Sequence, residues 1–414
     1  MRISRSIFAE LAAVLFLVWS AAASPGYPGD TLDMFGAEPE PFRQDEVDPR
    51  DDFEYSNEAF LHRFSYRIRT DWQRQWDGPR EGFIITAGST RTDELFVMHL
   101  LRKTIQLDET FFAVIRHQRE EDFDTRYDRL LTGLGAKIYG GWAIALLGDV
   151  VAEKEDIDPQ LELTWEAPGG GSRFRAAVVA TDTFFNRKND EDSEYHEQPF
   201  TYFIEGKWQA REDLLLSAWF NWNSELELEY GDGSRFRYEQ FMHEATALWS
   251  ATAGWRLLAS VGNQYGEREL RRPAETEREH FDRRNTVLTL ESEVDLADDL
   301  KTYHGFHYFF LEEEGQYHEI LPEDGDELRR SEYMLYGGVI WALDAKFTLS
   351  PGVYLDFIDN RDPQSGDDKR GLIGKATLPV EYAFSPRARL AANPTVELHK
   401  ANFGGFNLQF LILF

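Results

Sequence analysis

The sequence predicts an all-β fold, a single antiparallel barrel of about 18 strands (between about 16 and 20) that crosses a membrane. Three observations predict it. Segments of roughly ten residues alternate apolar with polar side chains. The connections between them are short and long in turn. The chain closes on Gly405-Phe406-Asn407-Leu408-Gln409-Phe410-Leu411-Ile412-Leu413-Phe414, a greasy strand that a soluble sheet seldom leaves with an open edge. A barrel in lipid removes that edge, because its last strand pairs with its first and its outer face meets hydrocarbon.

The start of the chain has the three parts of a secretory signal: Arg2 and Arg5, an apolar stretch from Leu11 to Trp19, and small residues through Ala23. Residues 1–23 are therefore read as a cleaved signal peptide. Residues 24–57 are rich in Pro, Gly, Asp and Glu without periodicity, and are read as an unstructured periplasmic lead-in. The barrel is placed at residues 58–414.

Strand-like alternation begins with Phe64, Tyr66, Ile68 and Trp72 against Ser65, Arg67, Arg69 and Asp71. The stretch from Trp76 to Leu95 gives the weakest strand count, since Gly82 to Ala87 could be a further strand. Leu214, Leu216, Ala218, Phe220 and Trp222 alternate with Ser217, Asn221 and Asn223. Two later segments repeat the pattern, from Phe347 to Phe357 and from Ala388 to Leu398. A soluble sandwich alternates too, so the connections discriminate. Short turns are expected at Leu107–Thr110, Tyr139–Gly141, Pro168–Ser172, Gln209–Asp213, Ala251–Gly254, Leu296–Asp299, Ala342–Ala345 and Phe384–Pro386. Long charged loops are expected at Asn186–Gln198, Glu267–Arg284, Glu312–Arg330 and Asp359–Arg370. Trp142, Trp165, Trp208, Trp249, Trp255 and Trp341 sit close to the short turns, where an interfacial girdle would lie.

Composition agrees with this class. Aromatic residues make up 14% and hydrophobic residues 42% of 414 residues, enough for a lipid face that takes every second position. No cysteine is present, which excludes thiolate chemistry and disulfides. Lys plus Arg number 44 against 74 Asp plus Glu, a net of −30 that argues against nucleic acid.

The final strand, with Phe414 last and Ile412, Phe410, Leu408 and Phe406 at every second position, resembles the C-terminal signal of Gram-negative outer-membrane β-barrel proteins. That resemblance implies residence in the outer membrane beside lipid and lipopolysaccharide. It also implies reading of those five residues by the barrel assembly machinery. The whole chain resembles porins and polysaccharide-export barrels, which implies a channel for solutes or an exported polymer.

Charged residues expected on the lumen face are Arg67 and Arg69, Glu291 and Glu293, and Arg387, Arg389 and Glu397; these are the candidates for solute selection. Acidic loop clusters such as Glu312-Glu313-Glu314 could attract divalent ions, although none has the calcium-loop spacing. His304 and His307 are three apart and should lie on opposite faces of a strand, so no metal site is expected there. No catalytic or cofactor motif occurs, and neither an enzyme nor a bound cofactor is expected. Two other readings stay open. One is a sheath around an electron-transfer partner such as a multihaem cytochrome, and the other is a lipid hydrolase, with Ser217 and His243 as its nominal candidates.

Overall fold

The computed structural model describes residues 81–89, 95–121, 126–151, 156–180, 194–197, 200–231, 233–271, 279–316, 327–361, 369–398 and 402–414. The candidate segment 64–72, with Arg67 and Arg69, and the signal and lead-in residues lie outside this set. All regular structure among the described residues is β, in 21 strand segments.

The first and last segments close the ring. β1 (Gly82–Ser89) pairs antiparallel with β2 (Leu95–Gln106) on one side and with β21 (Asn402–Leu413) on the other. The segment whose assignment was weakest in sequence is thus the strand that seals the barrel. Three strands are interrupted: β8 (Glu194–Glu197) with β9 (Phe200–Arg211), β16 (Phe347–Leu349) with β17 (Gly352–Arg361), and β18 (Lys369–Thr377) with β19 (Val380–Ser385). Both members of the first pair bind β10 (Leu214–Glu229), and both of the second bind β15 (Glu327–Ala342). Both members of the third pair bind β20 (Ala388–Glu397). Twenty-one segments less three interruptions give 18 strands. Two interruptions fall at Pro351 and Pro379, which cannot donate to the ladder, and Pro394 lies beside them in β20. The bonds are redistributed there, with Ser350 N–H donating to Pro379 O and Leu378 N–H to Pro394 O.

The short turns lie together at one rim, shifted by one or two residues from their sequence positions. In the turn between β4 (Arg126–Lys137) and β5 (Trp142–Val151), Gly140 and Gly141 take φ of 63° and 86°, the left-handed region that glycine enters without steric cost. Two turns use the same Asx device. Asp108 accepts the N–H groups of Thr110 and Phe111, and Asp344 those of Lys346 and Phe347. These backbone donors hold both carboxyls below the usual aspartate range. A depressed folded value means that the stabilisation is present above the ordinary aspartate pKa and disappears as pH falls through the folded one. Asp108→Ala and Asp344→Ala barrels should therefore unfold in less urea than wild type at pH 7, with the difference vanishing in strong acid. Equal midpoints at pH 7 would show that the turns do not depend on these caps.

The other end differs from the sequence expectation. The described parts of the charged stretches expected as loops are strand. β12 (Trp255–Arg271) and β13 (Glu279–Ala297) run well into 267–284, and β14 (Leu300–Gln316) and β15 into 312–330. Opposite charges facing each other across the ladder permit this. Arg284 stands opposite Glu312, and Arg329 pairs with Glu312 at 3.0 Å. The strands extend beyond the width of a lipid core because their polar ends satisfy one another.

Outward positions carry the apolar belt, with Leu134, Leu146, Leu161, Leu290, Leu335, Val353 and Leu372 exposed. Trp142, Trp208, Trp249, Trp255 and Trp341 are exposed near the short-turn rim, and Trp249 and Trp255 donate to Asp213 (3.0 Å) and Ser292 (2.8 Å). An apolar ring body with a tethered polar tip suits the membrane–water boundary. The belt changes character at β2 and β3 (Phe111–Glu121), where His99 and His117 meet at 2.7 Å on the outward face.

Inward aromatic rings lie on glycines of the neighbouring strand. Tyr336 stands opposite Gly305, Tyr303 opposite Gly338, and Phe112 opposite Gly135. A Cβ on Gly305 would lie 2.3 Å from the Tyr336 ring and 2.7 Å from Leu290 O. Gly305→Ala should therefore cost about 1–3 kcal/mol through overpacking. It should also lower the temperature at which the folded barrel changes its mobility on a denaturing gel. An unchanged transition would mean that the ring is not seated on the glycine.

Candidate functional site: the inward wall

Because strand side chains alternate, one register-linked set faces inward round the whole ring. On β2 and β3, Arg102 stands directly opposite Arg116. On β6 (Asp156–Glu166), Asp158, Gln160 and Glu162 face inward and are buried. β7 (Arg173–Ala180) contributes Arg173 and Arg175, and β9 contributes Glu205.

Arg116, Glu162, Arg173, Arg175 and Glu205 form one bonded charge network. Arg116 reaches past β4 and β5 to bind Glu162 in a bidentate fork, at 2.6 Å for each nitrogen–oxygen pair. Arg175 Nε donates to the same carboxylate at 2.9 Å and its Nη1 to Glu205 at 3.4 Å, while Arg173 binds Glu205 at 3.0 Å. Gln160 donates to Glu162 at 3.1 Å, and the Arg175 guanidinium lies 4.6 Å from the centroid of the Phe203 ring. Glu162 is 3% exposed, but both guanidiniums that hold it remain about a quarter exposed. The carboxylate is the fixed point and the arginines face the lumen water. Paired fork geometry of this kind is charge-assisted and orients the guanidinium plane.

The remaining wall carries shorter pairs. Glu293 meets Arg256 and Lys301, Arg330 meets Glu332, and Arg389 meets Glu381. Of the sequence candidates, Glu291 and Glu293 lie inward on β13, with Tyr336 donating to Glu291 at 3.4 Å. Arg389 lies inward on β20, bound to Glu381 at 2.6 Å. Glu397 ends β20 opposite Lys375. Arg387 is displaced from its expected wall position. It occupies the turn between β19 and β20, exposed at the rim, because Ser385 Oγ accepts its N–H and the strand resumes only at Ala388. The candidates do not converge on one spot; the structure spreads them round the ring.

In the closing strand, Phe406 and Leu408 are 40% and 42% exposed, whereas Asn407 and Gln409 are 6% and 7% exposed. The five apolar residues therefore face outward. Ser217 and His243 fall on opposite faces of the wall, since His243 pairs with outward Phe220 and Ser217 with inward Thr246, so they cannot act as nucleophile and base. His307 is buried inward and bonded to Thr289 at 2.9 Å, while His304 lies on the other face. Among the described residues, Glu267, His280 and Asp282, with ligand atoms within 4.8 Å of one another on the outward side of β12 and β13, could hold a divalent ion.

Sequence reading missed Arg102, Arg116, Glu162, Arg175 and Glu205. The signals for them are Arg-x-Arg in β7 and the isolated Glu162 between Leu161 and Leu163.

A closed 18-strand ring, an apolar outer belt with aromatics at its rim, and a charged inward wall define an outer-membrane β-barrel of the Gram-negative type. No family model matches the chain, and no curated protein matches it. Solved structures that resemble it include OccK9 (OpdG) and OccK2 (OpdF) in complex with glucuronate, both from Pseudomonas aeruginosa. Each is 12% identical with a TM-score of 0.40; 80% of this chain is covered, with 96% of OccK9 and 95% of OccK2. KdgM porin is 10% identical with a TM-score of 0.27 over 54% of this chain and 96% of its own. These likenesses assign no solute.

Proposed function

We propose that the chain is an outer-membrane channel through which charged solutes pass along the wall of β2 to β9. The network of Arg116, Arg173 and Arg175 against Glu162 and Glu205, with Arg102 opposite Arg116, carries this reading, because an inward wall with partly exposed guanidiniums offers binding that is reversible and multi-site. Barrels of about 16 to 18 strands are wide enough for an aqueous path. Four arginines against Asp158, Glu162 and Glu205 favour anions on this wall, against the net charge of the whole chain. The test is ion conductance by the purified protein in a planar bilayer, with the reversal potential measured in a salt gradient. Discrete conductance steps with anion preference are expected. A folded barrel that never conducts would refute the channel, and a cation-selective one would refute the role given to the arginines.

A further inference from the structure

We propose that Trp219 narrows the lumen and sets the size of solute that passes, an inference that rests on the channel reading. Phe112, Tyr303 and Tyr336 each face a glycine directly across the ladder, which lets the ring lie against the wall. Trp219 on β10 has no such seat. Its direct neighbours are Glu205 on β9 and Glu244 on β11 (Arg235–Thr252), and both carry side chains. Continuing the same row, Glu244 stands opposite Gly262, Gly262 opposite Val287, and Val287 opposite Phe309. Trp219 nevertheless packs against the cluster of Phe309 and Leu311 on β14, together with Val287.

Four strand spacings separate β10 from β14, roughly 19 Å measured along the wall. An indole that spans toward that cluster must leave the wall, pass over Glu244 and Gly262, and cut a chord through the lumen. Gly262, the next residue of that row, carries no side chain, and Glu244 fixes the indole edge by accepting its N–H at 3.3 Å. Glu244 is itself anchored by Ser260 at 2.7 Å. Phe309 and Leu311 are 1% and 0% exposed, whereas Arg116 and Arg175 stay about a quarter exposed, so the proposal puts the open path on the arginine-bearing side. Trp219 borders that path through its neighbour Glu205, the partner of Arg173 and Arg175.

The experiment compares wild type, Trp219→Ala and Trp219→Phe, each confirmed folded by its heat-modifiable gel shift. Single-channel conductance is measured in potassium chloride, and liposome swelling is measured with neutral sugars of increasing size. Trp219→Ala should raise conductance at least about twofold and admit larger sugars, with Trp219→Phe between it and wild type, as expected when a constriction is widened. Wild-type channels that conduct and are unchanged by either substitution would overturn the constriction while leaving the channel intact. Silence of all three folded proteins would overturn both.

Discussion

Glu162→Gln channels are expected to shift their reversal potential toward anion selectivity. The substitution keeps the side-chain shape and the hydrogen bond from Gln160 but removes the charge that Arg116 and Arg175 share. Each freed guanidinium then presents its full charge to the lumen. A unit charge about 4 Å away is worth about 1 kcal/mol in water, which corresponds to roughly a fivefold change in the ratio of anion to cation permeability. The fold suffers as well, since two arginines lose a bidentate or shared acceptor inside the wall. Their partial exposure limits this to about 1–3 kcal/mol. A double variant, Glu162→Gln with Arg116→Gln, should recover most of both effects. A Glu162→Gln channel with wild-type selectivity would show that solutes do not pass this wall.

Phe414→Asp is expected to lower the amount of barrel in the outer membrane by about tenfold or more while leaving the conductance of assembled molecules unchanged. Phe414 faces outward at the rim, its N–H bonded to Glu81 O and its ring 5.2 Å from Lys103 Nζ. A charge near the membrane interface costs only about 0–1 kcal/mol, too little to empty the membrane by destabilisation. A large loss would therefore report failed recognition by the assembly machinery. Refolding the same variant into detergent separates the two: normal yield there with loss in cells supports the assembly role. Normal levels in cells would refute it.

Much of the fold was legible because the lipid face imposes a period of two on every strand, so Leu216, Phe357 and Leu408 announce their orientation without any tertiary information. The turns were legible for a related reason: Asp108, Gly140, Gly141 and Asp344 carry turn chemistry in single residues. Strand ends were not. Glu312 and Arg329 look like loop residues singly and become strand only through pairing with each other. The inward network was hidden because Arg116 and Glu162 are 46 residues apart and two strands intervene. Local alternation places each on a face but does not say which residues meet across the lumen. Arg387 shows the reverse failure, since a one-residue error in where the turn ends moves a side chain from the wall to the rim.

The most direct measurement is the current through a planar bilayer containing purified wild-type protein whose gel shift shows it folded, with a salt gradient across the membrane. Discrete steps with a reversal potential on the anion side are predicted. No current at any voltage, or a reversal potential on the cation side that does not move in Glu162→Gln, would contradict a channel lined by the Arg116–Glu162–Arg175 network.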